Sequence, residues 1–220
     1  MKNNVIAIDG PSASGKSTVA RRVAARLGWL YVDSGALYRA VTWQALEKGL
    51  DTKDSESVAN LVKTLTPEFS IKDDAVSLAL DGITLNQELR TETINRNVSP
   101  VAAEPTVRKF VTQWLRSMIE LDNLVMEGRD IGTTVFADSK FKFYLDASPA
   151  ERARRRHAET QEAMSVNDVR ESLTRRDEID SRRMTAPLQV ADDADVIDST
   201  SMSADEVTNY IIEHVRDATT

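Results

Sequence analysis

The 220-residue chain contains no cysteine, which excludes disulfides, thiolate-bound zinc and a cysteine nucleophile and fits a reducing compartment. No apolar run approaches the roughly 18 residues needed to cross a bilayer, and the chain enters its first apolar strand at once. The expectation is a soluble, cytoplasmic protein without membrane contact. An excess of positive charge is also missing: the net charge is −7, which argues against a general affinity for nucleic acid, since that affinity rests on many Lys and Arg side chains releasing counterions. The two histidines, His157 and His214, stand alone in the sequence and read as surface positions rather than as metal ligands or bases. There is no internal repeat, no low-complexity segment, and no spare apolar heptad that would ask for a partner helix, so a monomer is expected.

The rest of the composition, 41% hydrophobic and 29% charged, is that of an ordinary globular protein long enough to bury a full core and to carry inserted lobes. One stretch is specific. Directly after the apolar run Val5 to Ile8 come Gly10, Pro11, Ser12, Ala13, Ser14, Gly15, Lys16, Ser17 and Thr18, a glycine, four residues, then Gly-Lys-Ser, placed between a predicted strand and a predicted helix. Glycines at those points let successive N–H groups turn inward on a phosphate, and the helix that follows adds the positive end of its dipole. A nucleoside triphosphate is the natural ligand, with Lys16 reaching the outer phosphates and the Ser17 hydroxyl placed on a bridging Mg²⁺.

Apolar spacing predicts strands at Val5 to Asp9, Trp29 to Asp33, Asn123 to Glu127, Lys140 to Asp146 and Ala194 to Asp198, interleaved with helices. Helices are predicted from Lys16, over Ser34 to Gly49, over 54–65, from Pro105 to about Leu121, over 149–160 and 166–182, and after the Ser203/Glu206 capping box. Short β runs at 69–71, 76–80 and 83–84, turned at Asp73-Asp74 and Asp81-Gly82, read as a small antiparallel insert. Five apolar strands alternating with helices imply an α/β fold with a five-stranded parallel sheet covered on both faces, whose ligands sit at the C-terminal strand ends. Asp9, Asp33/Ser34, Glu127/Arg129/Asp130 and Asp146 then face one crevice.

Between Arg152 and Arg183 lie nine arginines and no lysine. Guanidinium forks grip phosphate oxygens bidentately, so an arginine-only segment in an acidic protein points to small-molecule phosphate recognition, the plain alternative being solvated helices paired with Glu151, Glu159, Glu171 and Glu178. No Asn-Lys-x-Asp or Asp-x-x-Gly is present to specify guanine, and Leu124 to Glu127 is only a near substitute for the strand of a motor ATPase. Phosphoryl transfer to a small molecule is left as the leading class. Candidate acceptor-site residues are Ser34, Tyr38 and Arg39 after the second strand, Arg129 after Gly128, and Arg176, Asp180 and Arg183 on one helical face. Ser34 as a simple helix cap and Arg176/Asp180/Arg183 as a surface ion-pair ladder remain the alternatives on spacing alone.

Gly-Pro-Ser-Ala-Ser-Gly-Lys-Ser-Thr (10–18), Asp-Ser-Gly-Ala-Leu-Tyr-Arg (33–39), Val-Ala-Ala-Glu-Pro-Thr-Val-Arg (101–108), Glu-Gly-Arg-Asp-Ile-Gly-Thr (127–133) and Arg-Arg-Asp-Glu-Ile-Asp-Ser-Arg-Arg-Met-Thr-Ala-Pro-Leu (175–188), in this order, resemble the bacterial cytidylate kinases of the P-loop nucleoside monophosphate kinase superfamily. The resemblance implies the P-loop NTPase fold, with a monophosphate-binding insert near 41–84 and a lid near 149–184 on a core of 1–40, 85–148 and 185–220. It implies ATP and CMP or dCMP as substrates with Mg²⁺, and places Ser34, Arg108, Asp130 and Arg183 on the cytosine, Tyr38, Arg39 and Arg129 on the CMP phosphate, and Ser99, Arg176 and Asp180 on the ribose. Ile179 and Ser181 depart from residues often charged in that family. Lys16 and Arg129 are the expected catalytic cations, and no general base is needed, because a phosphate monoester is already ionised near neutral pH. The rival readings are a kinase for another acceptor, such as UMP or shikimate, and a nucleotide-dependent switch.

Overall fold

In chain order the elements are β1 (Val5–Asp9), α1 (Lys16–Leu27), β2 (Leu30–Asp33), α2 (Ser34–Glu47), α3 (Ser55–Val62), β3 (Pro67–Lys72), β4 (Ala75–Leu80), β5 (Ile83–Thr84), α4 (Glu92–Ala103), α5 (Pro105–Ser117), β6 (Leu124–Gly128), β7 (Phe141–Asp146), α6 (Pro149–Glu159), α7 (Val166–Arg182), β8 (Asp195–Asp198) and α8 (Ala204–Asp217). The computed structural model describes residues 3–159 and 165–217; residue 160 of the predicted 149–160 helix lies outside them.

All of β1 is buried because both of its faces are covered. Val5 and Ala7 join the core under α2 to α5, whereas Ile6 and Ile8 join the core under α1 and α8. That is why the strand is a continuous apolar run rather than an alternation. β1 pairs in parallel with β6 on one side and β7 on the other, β2 extends the sheet beyond β6, and β8 extends it beyond β7. The five parallel strands therefore stand in the order β2-β6-β1-β7-β8, with the phosphate loop leaving the middle of the sheet.

The predicted antiparallel insert forms β3, β4 and β5, and its turns carry positive φ at Asp73, Asp74, Asp81 and Gly82, the handedness that two-residue hairpin turns require. It is continuous with the main sheet. Tyr31 pairs in parallel with Ala75, and its N–H donates to Asp74 O at 3.0 Å, so one eight-stranded sheet results. The free edge of β2 would otherwise present unpaired main-chain groups. Trp29, assigned from the sequence to the second strand, lies between α1 and β2 and closes the helix end: Gly28 is left-handed (φ 66), and Trp29 N–H donates to Ala24 O at 3.0 Å. One element had no sequence signal, a π-helical turn over Ile131–Val135. Its first N–H groups, Ile131 and Gly132, donate to the Asp9 carboxylate at 2.9 and 2.7 Å. Among the described residues no helix is long and apolar enough to cross a membrane.

Gly10 shows how tightly the loop is built against the sheet. Its φ is +149, and a Cβ there would lie 2.1 Å from the Leu145 carbonyl oxygen, so β7 leaves room only for hydrogen. Gly10→Ala is expected to lower the melting midpoint by about 5–10 °C through backbone strain and steric overlap and to abolish ATP binding; a thermal melt matching the parent contradicts this account.

Candidate active site

The loop between β1 and α1 turns through Ala13 (φ 61) and Gly15 (φ 98), and no side chain caps the start of α1. The first N–H groups of that helix face the crevice without a protein capping oxygen, which is what an anion cradle requires. Lys16 folds back over the loop, and its ammonium donates to Pro11 O at 2.6 Å and to Ser14 Oγ at 3.3 Å. Burial pushes this ammonium down to about 7, with repulsion from Arg129 adding to the effect, while Glu127, Asp177 and Asp9 oppose it. It is a buried cation short of anions, and a triphosphate supplies them. Ser17 Oγ donates to the Glu127 carboxylate, which also accepts from Tyr31 OH at 3.2 Å. Glu127 stands one residue before the end of β6, so the acid of the nearest sequence substitute for a motor-ATPase strand is in contact with the proposed metal-orienting hydroxyl.

Across the crevice, Asp33 caps α2 by accepting from Ala36 N–H at 3.1 Å, and its other oxygen holds Arg39 at 2.6 Å and Arg90 at 3.6 Å. Ser34 is thus not the cap; its hydroxyl donates to Glu127 O at 2.7 Å. This tie is possible because residue 128 is glycine, where a Cβ would fall 2.6 Å from Ser34 Oγ. Arg108, almost fully buried on α5, donates to Asp130 at 2.5 Å and to Ala102 O at 3.0 Å, and its guanidinium lies 5.2 Å from the centre of the Tyr38 ring. Arg129 bridges two elements, from Nε to Asp180 at 3.0 Å and from Nη2 to Ser12 Oγ at 2.8 Å. Burial works against its charge, but Asp180, Asp177 and Glu127 more than compensate, so its pKa stands above the ordinary arginine value.

Arg183 sits at the C-cap just beyond α7, where it reaches Asp180 at 3.5 Å and Ala186 O at 2.9 Å. Arg176 has no hydrogen bond or ion pair among the described residues. Burial first and Arg129 second pull its pKa down to about 10, against the pull of Asp180. Ser99 completes the wall from α4.

These residues enclose a crevice of about 500 Å³. It brings together Ser12, Ala13, Lys16 and Ser17 of the loop with Ser34, Tyr38, Arg39, Ser99, Arg108, Arg129, Asp130, Arg176, Asp180 and Arg183. Of the other loop residues, Gly10 and Pro11 do not line the crevice, while Ser14, Gly15 and Thr18 line a second pocket of about 370 Å³ with Arg155, Ser199 and Met202. Among the described residues six buried side-chain polar atoms have no partner, and four of them, Tyr38 OH and the Nε atoms of Arg39, Arg108 and Arg183, belong to the walls of the first crevice. Buried donors are rarely left unpaired, so their concentration here marks a space shaped for an acceptor-rich ligand.

The arginine-only segment divides. Arg176 and Arg183 face the crevice, whereas Arg152 and Arg155 grip the outside of the loop, donating to Ser12 O and Ser14 O at 3.1 and 3.0 Å. Arg154 pairs with Glu151 on its own helix, the bland alternative realised. Asp177 was not singled out by the sequence, yet it accepts from Ser12 N–H at 2.9 Å and binds Arg152. Its spacing from Asp180 placed it near the same helical face, and that was the available signal. Asp9 and Asp146, expected from their strand ends to face the crevice, do not line it; Asp9 instead accepts from Ile131 and Gly132 N–H, and burial pushes its carboxyl up to about 6 against those hydrogen bonds.

A glycine-rich cradle at the centre of a parallel sheet, facing a wall of guanidiniums across one crevice, defines a P-loop kinase. The cytidylate kinase family model matches residues 6–217. The chain is 42% identical to the cytidylate kinase of Geobacillus kaustophilus, with 99% of each chain covered, and 40% identical to that of Shouchella clausii, with 96% of each covered. Among solved structures, a gluconokinase from Sinorhizobium meliloti aligns with a TM-score of 0.50 at 13% identity over 99% of this chain and 93% of its own, a likeness of fold alone. The chain belongs to the cytidylate kinase family.

Proposed function

We propose that this protein transfers the γ-phosphoryl group of ATP to CMP or dCMP, giving ADP and CDP or dCDP, with the triphosphate on residues 10–18 and the monophosphate nucleotide among the arginines opposite. The observation that carries the reading is the single crevice in which Lys16 and Ser17 face Arg39, Arg108, Arg129, Arg176 and Arg183. Two anionic reactants are brought together there only if cations stand on both sides of the transferring group. Arg39 and Arg129, with Tyr38 OH, would hold the acceptor phosphate. Arg108, Asp130, Arg183 and Ser34 would read the cytosine, whose amine and neighbouring acceptors call for both kinds of partner, and Ser99, Arg176 and Asp180 would meet the ribose. Asp130 and Asp180 are each held by guanidiniums, consistent with positioning rather than proton abstraction.

Ser17 and Glu127 fit a hard, oxygen-seeking Mg²⁺. Among the described residues no three His, Cys, Asp or Glu side chains gather as a metal site. Such an ion, held by Ser17 and Glu127 with the substrate phosphates, would neutralise charge on the outer phosphates. Lys16 and Arg129 would neutralise the negative charge that develops as the phosphoryl group moves, and Arg176, on the same crevice wall, is placed to join them. The second pocket, walled by Arg155, Ser199 and Met202 beside Gly15 and Thr18, suits the adenine of ATP, with the guanidinium plane available for stacking. The division into a core, a monophosphate-binding insert (41–84) and a lid (149–184) belongs to the same reading, as does a cytoplasmic monomer that binds neither nucleic acid nor membrane.

A coupled ADP-release assay across CMP, dCMP, UMP, AMP and shikimate tests the assignment. CMP or dCMP is expected to exceed AMP and shikimate by about a hundredfold or more in kcat/KM, because mismatched polar groups in a buried base site are left unpaired. Acceptor-independent ADP release, or a preference for shikimate, overturns it.

A further inference from the structure

Ser12 is held through all three of its polar atoms, each by a different part of the chain. Its N–H donates to Asp177 Oδ1 on α7 at 2.9 Å, its carbonyl accepts from Arg152 on α6 at 3.1 Å, and its hydroxyl accepts from Arg129 after β6 at 2.8 Å. The second Asp177 oxygen binds Arg152, whose Nε is tied to Ala147 O at 3.1 Å. One turn further along α7, Asp180 accepts from Arg129 at 3.0 Å. Asp177 and Asp180 therefore grip the two ends of one bridge: Asp177 holds the phosphate loop, and Asp180 holds the arginine that leans on that loop. A single rigid helix links the ATP side of the crevice to the acceptor side.

We propose that Asp177, braced by Arg152, is a positioning residue for phosphoryl transfer that couples the two nucleotide sites. It fixes Ser12 against α7, so that Arg129 meets the acceptor phosphate in register with the phosphate loop. This inference rests on the reading of ATP at the loop and CMP at the arginines. Asp177 is neither at the crevice wall nor paired with a crevice arginine, so it has no direct part in gripping CMP. Its charge nevertheless reaches the site, opposing the loss of charge on Lys16 and raising the Arg129 pKa. With the Asp177 carboxylate gone, Ser12 N–H loses its acceptor and Arg152 loses its counterion. α7 then keeps its hold on Arg129 but loses its hold on the loop, and the geometry between the two sites is no longer shared.

The test uses the full chain with Asp177→Ala and Asp177→Asn, and measures kcat, both KM values, the melting midpoint, and CMP binding by calorimetry with and without a non-hydrolysable ATP analogue and Mg²⁺. Asp177→Ala is expected to lower kcat about thirtyfold while both KM values and the affinity for CMP alone stay within about threefold, the pattern of an interaction that acts in the transition state. The tightening of CMP by the ATP analogue, of order 5- to 150-fold where two sites are coupled, is expected to fall to near one. Asp177→Asn, which retains an oxygen for Ser12 N–H and the parent volume, is expected to fold like the parent and lose kcat by about five- to tenfold, since only the charged contact to Arg152 is removed. Undiminished coupling in Asp177→Asn and Asp177→Ala, or a loss of CMP affinity in the absence of the ATP analogue equal to the loss in kcat, overturns the proposal. Arg129→Ala serves as the control on the underlying assignment: unchanged binding of CMP alone in that variant sinks the site reading itself, whatever Asp177 does.

Discussion

Lys16→Met is expected to reduce turnover by about two to three orders of magnitude, the scale of losing one charge-stabilising donor at a transferring group, without lowering the melting midpoint at neutral pH. The two parts of this result come from the same burial. The ammonium is enclosed and repelled by Arg129, which brings its pKa down from 10.5 to about 7. Between about pH 7 and 10.5 the unfolded chain therefore binds the proton that the folded chain has released, so this group makes folding more favourable as pH rises through that window. Below it the folded protein carries the full cost of a buried charge. A methionine of similar length fills the space without that cost, although Pro11 O loses its donor. Steady-state rates and thermal melts at pH 7 and pH 9 check both parts: the parent is expected to gain more stability from pH 7 to 9 than the variant. Turnover within tenfold of the parent, or a variant that melts lower at both values, contradicts the account.

Arg129→Ala is the second large effect, and it differs in kind. The guanidinium spans Asp180 and Ser12 Oγ, so its removal takes away a cation aimed at the acceptor phosphate and leaves Asp180 with Arg183 as its remaining partner. Turnover is expected to fall by about two to three orders of magnitude, with the KM for CMP raised about tenfold or more and the KM for ATP little changed. Arg129→Lys restores the charge but not the fork, and a single ammonium cannot reach both Asp180 and Ser12; it is expected to recover at most about a tenth of the parent rate. Full recovery with lysine would reduce the role of Arg129 to its charge alone, and an unchanged KM for CMP would remove it from the acceptor site.

Much of the fold was legible in the chain because both-face burial writes itself as apolar runs. Val5 to Ile8 and Leu124 to Met126 are central strands buried on both faces, and runs this short, bounded by polar residues, favour a strand over a helix by their length. The hairpin turns at Asp73-Asp74 and Asp81-Gly82 were equally local. The continuity of that hairpin with β2 was not, since one bridge between Tyr31 and Ala75 has no sequence pattern of its own. The π-helical turn at Ile131–Val135 escaped for a similar reason: it is held by the carboxylate of Asp9, more than a hundred residues away.

The site divides along the same line. The phosphate loop is contiguous, and its backbone geometry follows from where its glycines stand, so residues 10–18 announced an anion cradle before any fold was known. The arginines were visible as a type but not as individuals. Arg152, Arg155, Arg176 and Arg183 are chemically identical in the sequence, and only packing separates the two that grip loop carbonyls from the two that face the crevice. Which hydroxyl Glu127 holds and which amide Asp177 accepts from are likewise decided by hydrogen bonds between segments more than a hundred residues apart. By itself the sequence determined the class of chemistry, the parallel α/β sheet and the family, because these depend on short contiguous patterns and on residue types. Tertiary structure decided the partners, since a hydrogen bond between residues 12 and 177 exists only after the chain has closed on itself.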